Sequence, residues 1–128
     1  MRALLDTHAF LWWLAGDSAL SAAARTMIGD EDSTIFVSAA TAWEIATKHR
    51  LGKLPGAASI APDIQGSVQG QGFMPLDVTM RHAQRAGALR GHHRDPFDRM
   101  LIAQAMVEDC MLISNEQVFD RYNVPRLW

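Results

Sequence analysis

Short apolar runs alternate with helical stretches along this chain, and that order restricts the fold more than any other feature. Residues 2 to 6 read as a strand ending on Asp6. Thr34-Ile35-Phe36-Val37-Ser38 is β-branched and aromatic, a composition that suits pleated backbone. Phe73-Met74-Pro75-Leu76 and Met111-Leu112-Ile113-Ser114 are two more short runs. Helical stretches fall between them: 8 to 15, from Ser18 or Ser21 to about Ile28, 39 to 50, 63 to 71, 79 to 89 and 95 to 108. A short helix over 117 to 122 and a last strand within 124 to 128 close the chain. Strands separated by helices form a parallel sheet covered on both faces, so an α/β fold is expected. Pro75 has no N–H to give a neighbour, which suits an edge strand.

The totals fit this reading. A chain of 128 residues can bury one real core, and 1–128 is expected to form one domain. Hydrophobic residues make up 48% and charged residues 20%, which excludes a disordered chain. The net charge of −2 argues against tight, indiscriminate nucleic-acid binding, while leaving room for a local basic patch. The single cysteine, Cys110, reads as a small buried hydrophobe and fits a reducing compartment. Asp6 and His8 interrupt any N-terminal apolar region, so no signal peptide is expected. No stretch is apolar for long enough to cross a bilayer. A soluble, cytoplasmic protein is the expectation.

Five acids carry the chemistry. Asp6 stands at the carboxyl end of the first strand, the end at which open α/β sheets bind ligands. It suits a helix cap or a metal ligand equally. Glu44 has Lys48 four residues on, the spacing of a surface ion pair, yet it sits among Ala39, Ala40, Ala42, Trp43, Ile45 and Ala46. Asp95 fits an N-cap with Pro96 at the first helical position, and Asp98 fits the third, as in a capping box. Glu116 follows the fourth strand. Caps would account for most of these singly, but not for Glu44. In a parallel sheet, Asp6, Glu44, Asp98 and Glu116 can meet at one edge. Converging carboxylates repel unless a hard divalent cation such as Mg²⁺ compensates them, which points to phosphate-ester chemistry.

At these residues the chain resembles a known family. Leu4-Leu5-Asp6-Thr7-His8, Val37-Ser38-Ala39 leading to Trp43-Glu44-Ile45, His93-Arg94-Asp95-Pro96-Phe97-Asp98-Arg99, and Leu112-Ile113-Ser114 before Phe119 are similar to PIN-domain proteins, and most of all to VapC-type toxin ribonucleases of toxin–antitoxin pairs. Leu51-Gly52-Lys53-Leu54 and the stretch from Pro125 to Trp128 add to the likeness. The resemblance implies a three-layer α/β/α sandwich with a mostly parallel sheet, and endoribonuclease activity dependent on Mg²⁺ or Mn²⁺. It places the family's first three acids on Asp6, Glu44 and Asp98, leaving Asp95 as a cap or outer-shell acid. The fourth, commonly aspartate, is here Glu116. A homodimer and a VapB-like antitoxin are implied as well. The competing expectation is an inactive RNA-binding or scaffold module of the same fold.

Other side chains carry subsidiary expectations. Asp6 and Asp98 are the first candidates to bind the ion, with Glu44 and Glu116 holding waters or a second ion. Thr7 and Ser114 either orient carboxylates or bond locally to backbone. Arg81, Arg85, Arg90, Arg94 and Arg99, with His82, His92 and His93, either line an RNA approach or form a solvated face. His92 and His93 read as solvent-facing rather than as a zinc pair. Phe10, Trp12, Trp13 and Trp43 read as core or subunit interface, and Trp12 or Trp13 is expected to meet a partner chain.

Overall fold

A computed structural model of the chain describes residues 1–91 and 93–128. His92, and its expected solvent-facing role, lie outside the described residues. The strands are β1 (Arg2–Leu5), β2 (Thr34–Ser38), β3 (Met74–Leu76), β4 (Met111–Ile113) and β5 (Arg126–Leu127). The helices are α1 (Thr7–Ala15), α2 (Ala22–Ile28), α3 (Ala39–Arg50), α4 (Ile64–Gly70), α5 (Met80–Ala88) and α6 (Pro96–Glu108). Residues Gln117–Arg121 form a 3₁₀ turn rather than an α-helix.

The five strands form one parallel sheet in the order β3-β2-β1-β4-β5. Successive side chains of a strand point to opposite faces. Ala3 and Leu5 accordingly join Ile35, Val37 and Ile113 in a core with Phe10, Ala24, Ile45 and Val68 from α1, α2, α3 and α4. Leu4, Phe36 and Leu112 face the other way, onto Leu101, Ile102 and Ala105 of α6, with Phe119 and Val124. Helices cover both faces, giving the three-layer α/β/α arrangement. Pro75 lies on β3, the edge strand, as its missing N–H requires.

The helix ends follow local chemistry. Asp6 caps α1, Ser21 (not Ser18) caps α2, Ser38 caps α3, Thr79 caps α5 and Asp95 caps α6. Each side-chain oxygen accepts an N–H that the first turn leaves without an intrahelical partner. The expected capping box at α6 is only half formed. Asp95 Oδ1 accepts from the Phe97 and Asp98 N–H groups, while the Asp98 carboxylate turns to His93. A full box forms instead at α5, where Thr79 and His82 bond each other's backbone N–H. Cys110 is buried. Among the described residues no helix is long and apolar enough to cross a membrane.

Candidate functional site

The strand order places the acids. The chain runs outward from β1 to β2 and β3, then returns to lay β4 on the other side of β1. The two directions diverge at the carboxyl ends of β1 and β4, and such a switch point opens a crevice. Asp6 follows β1 directly, and Glu116 lies three residues beyond β4. Glu44 arrives on α3, which follows β2, and Asp98 on the first turn of α6.

Hydrogen bonds and charges link them in turn. Thr7, next to Asp6, donates its hydroxyl to Glu44 Oε1, and Lys48 donates its ammonium to Glu44 Oε2. The charges of Asp95 and Asp98 act on Lys48. Glu116 acts electrostatically on Asp98 and also on Asp6. The Ser114 hydroxyl holds the Asp6 pKa down and accepts the Glu116 N–H at 3.0 Å. Four acids from four parts of the chain, and Asp95 with them, therefore act on one another or on shared partners at this end of the sheet.

Two carboxylates pay heavily in desolvation there. Asp6 is 4% exposed, and burial raises its pKa from 3.8 to about 6. The Ser114 hydroxyl, the Ala9 N–H and His8 pull it down, and Glu116 adds to the rise. Burial likewise raises Asp98 to about 7. His93 opposes that rise, while Asp95 and Glu116 reinforce it. Desolvation disfavours the charged form, and neighbouring negative charge disfavours it further. Lys48 shows the complement. Burial lowers its pKa, but the bond to Glu44 and the charges of Glu44, Asp95 and Asp98 overcome this and hold it above the ordinary lysine value.

Both readings of Glu44 hold at once. It forms the i,i+4 ion pair with Lys48, yet it is 4% exposed rather than on a solvated face. Its two oxygens are engaged by Thr7 and Lys48, whereas Asp98 has given one oxygen to His93 Nε2 at 2.8 Å. Among the described residues, no three histidine, cysteine or acidic side chains already stand at ion-binding separation. The donor set still suits a hard divalent cation: it offers carboxylate oxygens, desolvated and mutually repelling. Asp98 bonds His93 through Oδ2 alone, which leaves Oδ1 for an ion.

Several sequence expectations are corrected. His93 is not solvent-facing: it is half-buried, bonds Asp98 and meets the Phe119 ring edge-on with centroids 6.2 Å apart. The basic stretch does not form one approach to the acids. His82 is 1% exposed, accepts the Thr79 N–H on Nδ1 and donates from Nε2 to Glu108. Arg81 and Arg85 line a groove with Met106 and Val107, at the far end of α6 from Asp98. Arg99 donates to the carbonyls of His93, Ala86 and Leu89 and so pins the segment that leads into α6. Arg90 and Arg94 remain exposed on that segment.

The aromatic expectations also shift. Phe10 is core. Trp12 packs against His8 and Trp128, while Trp13 packs against Phe73 and donates to Gln71. Both are covered in part by their own chain and stay partly exposed. Trp43 is the exposed one, at 64%, braced edge-on by Phe97 at 4.9 Å. Sequence reasoning missed His93 and gave Lys48 no role beyond its pairing. The available signal for Lys48 was its spacing from a glutamate in apolar surroundings.

Comparison with known proteins agrees with this geometry. Ribonuclease VapC16 of Mycobacterium tuberculosis is 40% identical over 58 residues, covering 45% of this chain and 41% of that relative's length. The chain thus spans less than half the length of this curated relative. The fold is shared with VapBC2 from Rickettsia felis bound to a DNA fragment from their promoter (TM-score 0.69, 16% identity, 99% of this chain and 98% of that one). It is shared also with a toxin–antitoxin complex from Klebsiella pneumoniae (0.67, 16%, 98% and 96%) and with VapBC-1 from nontypeable Haemophilus influenzae (0.67, 14%, 99% and 97%). The PIN domain model matches residues 3–125, nearly the whole chain from β1 to just short of β5. A parallel sheet with acids gathered at its switch point, together with a family match of that extent, means that this chain belongs to the PIN domain family.

Proposed function

We propose that this chain is a Mg²⁺- or Mn²⁺-dependent endoribonuclease, one nuclease domain over 1–128, and the toxin half of a type II toxin–antitoxin pair. The observation that carries the reading is the pair of desolvated carboxylates, Asp6 and Asp98, both acted on by Glu116. A site that raises acids to about 6 and about 7 is destabilised by its own charge and gains from a divalent cation. The name of the Mycobacterium tuberculosis relative and the VapBC neighbours support the biological setting. Within it the chain would form a homodimer, cut RNA in the cytoplasm and be blocked by a VapB-like antitoxin.

Asp6 and Asp98 are the carboxylates that would hold the ion. Glu116 would add an oxygen directly or through water, and Glu44 would act from outside, since both its oxygens have partners. Asp95 serves mainly as the α6 cap. When bound, the ion supplies positive charge at the scissile phosphate and makes a water acidic enough to attack near neutral pH. One of these carboxylates accepts that water's proton. In-line attack on phosphorus breaks the P–O3′ bond and leaves a 5′-phosphate and a 3′-hydroxyl. Thr7 and Ser114 hold Glu44 and Asp6 in place for this work.

The half-occupied state of the acids favours a second reading, an inactive RNA-binding module in which Glu44 stays bonded to Lys48 and Asp98 to His93. One experiment separates the two. Incubating the purified chain with mixed-sequence single-stranded RNA and Mg²⁺ is expected to give 5′-phosphorylated fragments, and EDTA is expected to stop it. RNA that binds but stays whole in Mg²⁺ and in Mn²⁺ supports the inactive module.

A further inference from the structure

Lys48 is a cation set among the acids, bonded to Glu44 and acted on by Asp95 and Asp98. It lies on α3 one turn beyond Glu44, with its side chain one-third exposed. Its ammonium bonds Glu44 Oε2 and stands 5.9 Å from the centre of the Phe97 ring, one residue before Asp98. The charges of Asp95 and Asp98 reach it as well. Glu44 in turn is fixed from its other side by Thr7, which follows Asp6.

The pairing is more than a surface ion pair. An exposed i,i+4 pair stabilises a helix only slightly and needs no buried glutamate. Here the glutamate is buried and its second oxygen is tied down, so the pair fixes where one ammonium stands. That ammonium has three donors, and Glu44 takes one in the described structure. Its other donors are available to an anion arriving between α3 and the start of α6. RNA brings such an anion, the phosphate, to the carboxylates that would act on it. The acids around it repel that phosphate. Among the described basic residues near the acids, Arg99 is committed to carbonyls and His93 to Asp98, while His8 acts on Asp6 and Arg94 is exposed beside Asp95.

We infer that Lys48, held by Glu44, is a substrate-binding residue that donates to a non-bridging oxygen of the scissile phosphate or of its neighbour. This rests on the endoribonuclease reading and gives Glu44 a second task, that of anchoring the ammonium. The role is separable from ion binding, because lysine donates to phosphate whether or not a divalent ion is present.

The test uses the full chain as wild type, Lys48→Met and Lys48→Arg. Circular dichroism melts confirm that each variant folds. The probe is a fluorescein-labelled 20-nucleotide single-stranded RNA, titrated in EDTA over a range of KCl concentrations, with Mn²⁺ titrated separately by calorimetry. Lys48→Met is expected to weaken RNA binding several-fold and to reduce the slope of log K against log salt by about 0.7, the value of one lost phosphate contact. Lys48→Arg is expected to restore most of the affinity and the slope. Mn²⁺ affinity in Lys48→Met should stay within a few-fold of wild type. In Mg²⁺, cleavage by Lys48→Met should fall at least 10-fold, mostly through KM.

Unchanged RNA affinity and slope in Lys48→Met overturn the inference, whatever the cleavage rate. A tighter Mn²⁺ affinity with unchanged RNA binding also overturns it, because Lys48 would then be only a stand-in for the ion. Wild type that binds the RNA but never cuts it overturns the nuclease reading and leaves the binding comparison to decide Lys48. Wild type that neither binds nor cuts overturns both.

Discussion

Asp6 carries two duties whose energetics oppose each other. As a cap it accepts the Ala9 N–H at 2.8 Å, which stabilises α1 by roughly 0.5–2 kcal/mol relative to alanine. As a buried carboxylate raised from 3.8 to about 6 it costs the fold on the order of 3 kcal/mol once ionised. Asparagine caps nearly as well and carries no charge. Asp6→Asn is therefore expected to raise the melting temperature of the metal-free chain at pH 8 by several degrees. The same variant should lower RNA cleavage at least 100-fold, and Asp98→Asn should do likewise. Thermal melts paired with a cleavage assay check both halves; a fall in stability with activity retained would show that Asp6 is a cap alone. The raised values also set a pH dependence. Folding favours the protonated acids, so their stabilisation is complete below about pH 3.8. It is lost as the pH rises past about 6 for Asp6 and about 7 for Asp98. Metal-free melts should therefore be lower at pH 8 than at pH 5, once other groups are matched by subtracting the Asp6→Asn/Asp98→Asn double variant.

Leu89 and His93, described residues between α5 and α6, are both bonded by one side chain on the first turn of α6, the turn that carries the third acid. Arg99 donates to the carbonyls of His93, Ala86 and Leu89, joining the end of α5 to the start of α6. Gly91 lies between α5 and α6 with φ of +110°, and a Cβ there would sit 2.9 Å from the Tyr122 hydroxyl. Arg99→Met takes the guanidinium donors from three part-buried carbonyls and is expected to cost about 1–3 kcal/mol. Gly91→Ala is expected to cost about 1–3 kcal/mol through strain, with Mn²⁺ affinity falling as Asp98 loses its position. Denaturant unfolding and Mn²⁺ titration check both; unchanged affinity in both variants would mean that α6 places Asp98 unaided.

At this scale the sequence was readable wherever a local rule acts. β2 and α3 have the expected bounds, Asp95 and Pro96 open α6, and Pro75 lies at the sheet edge. What escaped was lateral and long-range. Nothing local says that β4 returns to β1, which is what creates the crevice. His93 reads as a loop histidine because Asp98, its partner, becomes a neighbour only when the α6 cap folds the chain back. The run of arginines looked like one patch because spacing along the chain hides the length of α6, which separates Arg81 and Arg85 from Asp98.

For the whole molecule, the sheet acts as a device for bringing like charges together. One parallel sheet with its switch point between β1 and β4 delivers Asp6 and Glu116 side by side, and the helices after β2 and before β4 add Glu44 and Asp98. The chain's own Lys48 offsets part of that charge, and His93 bonds Asp98. A divalent ion should therefore compete with protons and with His93 for Asp98. It should raise the melting temperature more at pH 8 than at pH 5.5, where protons already occupy the acids. The most direct measurement is Mn²⁺ titration calorimetry at pH 6.5 in two buffers of different ionisation enthalpy, on wild type, Asp6→Asn and Asp98→Asn. With acids near 6 and near 7, wild type should bind the ion and release about one proton. Each variant should bind at least 10-fold more weakly, and Asp98→Asn should release the fewer protons. Mn²⁺ affinity undiminished in both variants, or no binding by wild type at all, would contradict the claim that these carboxylates gather to hold a metal.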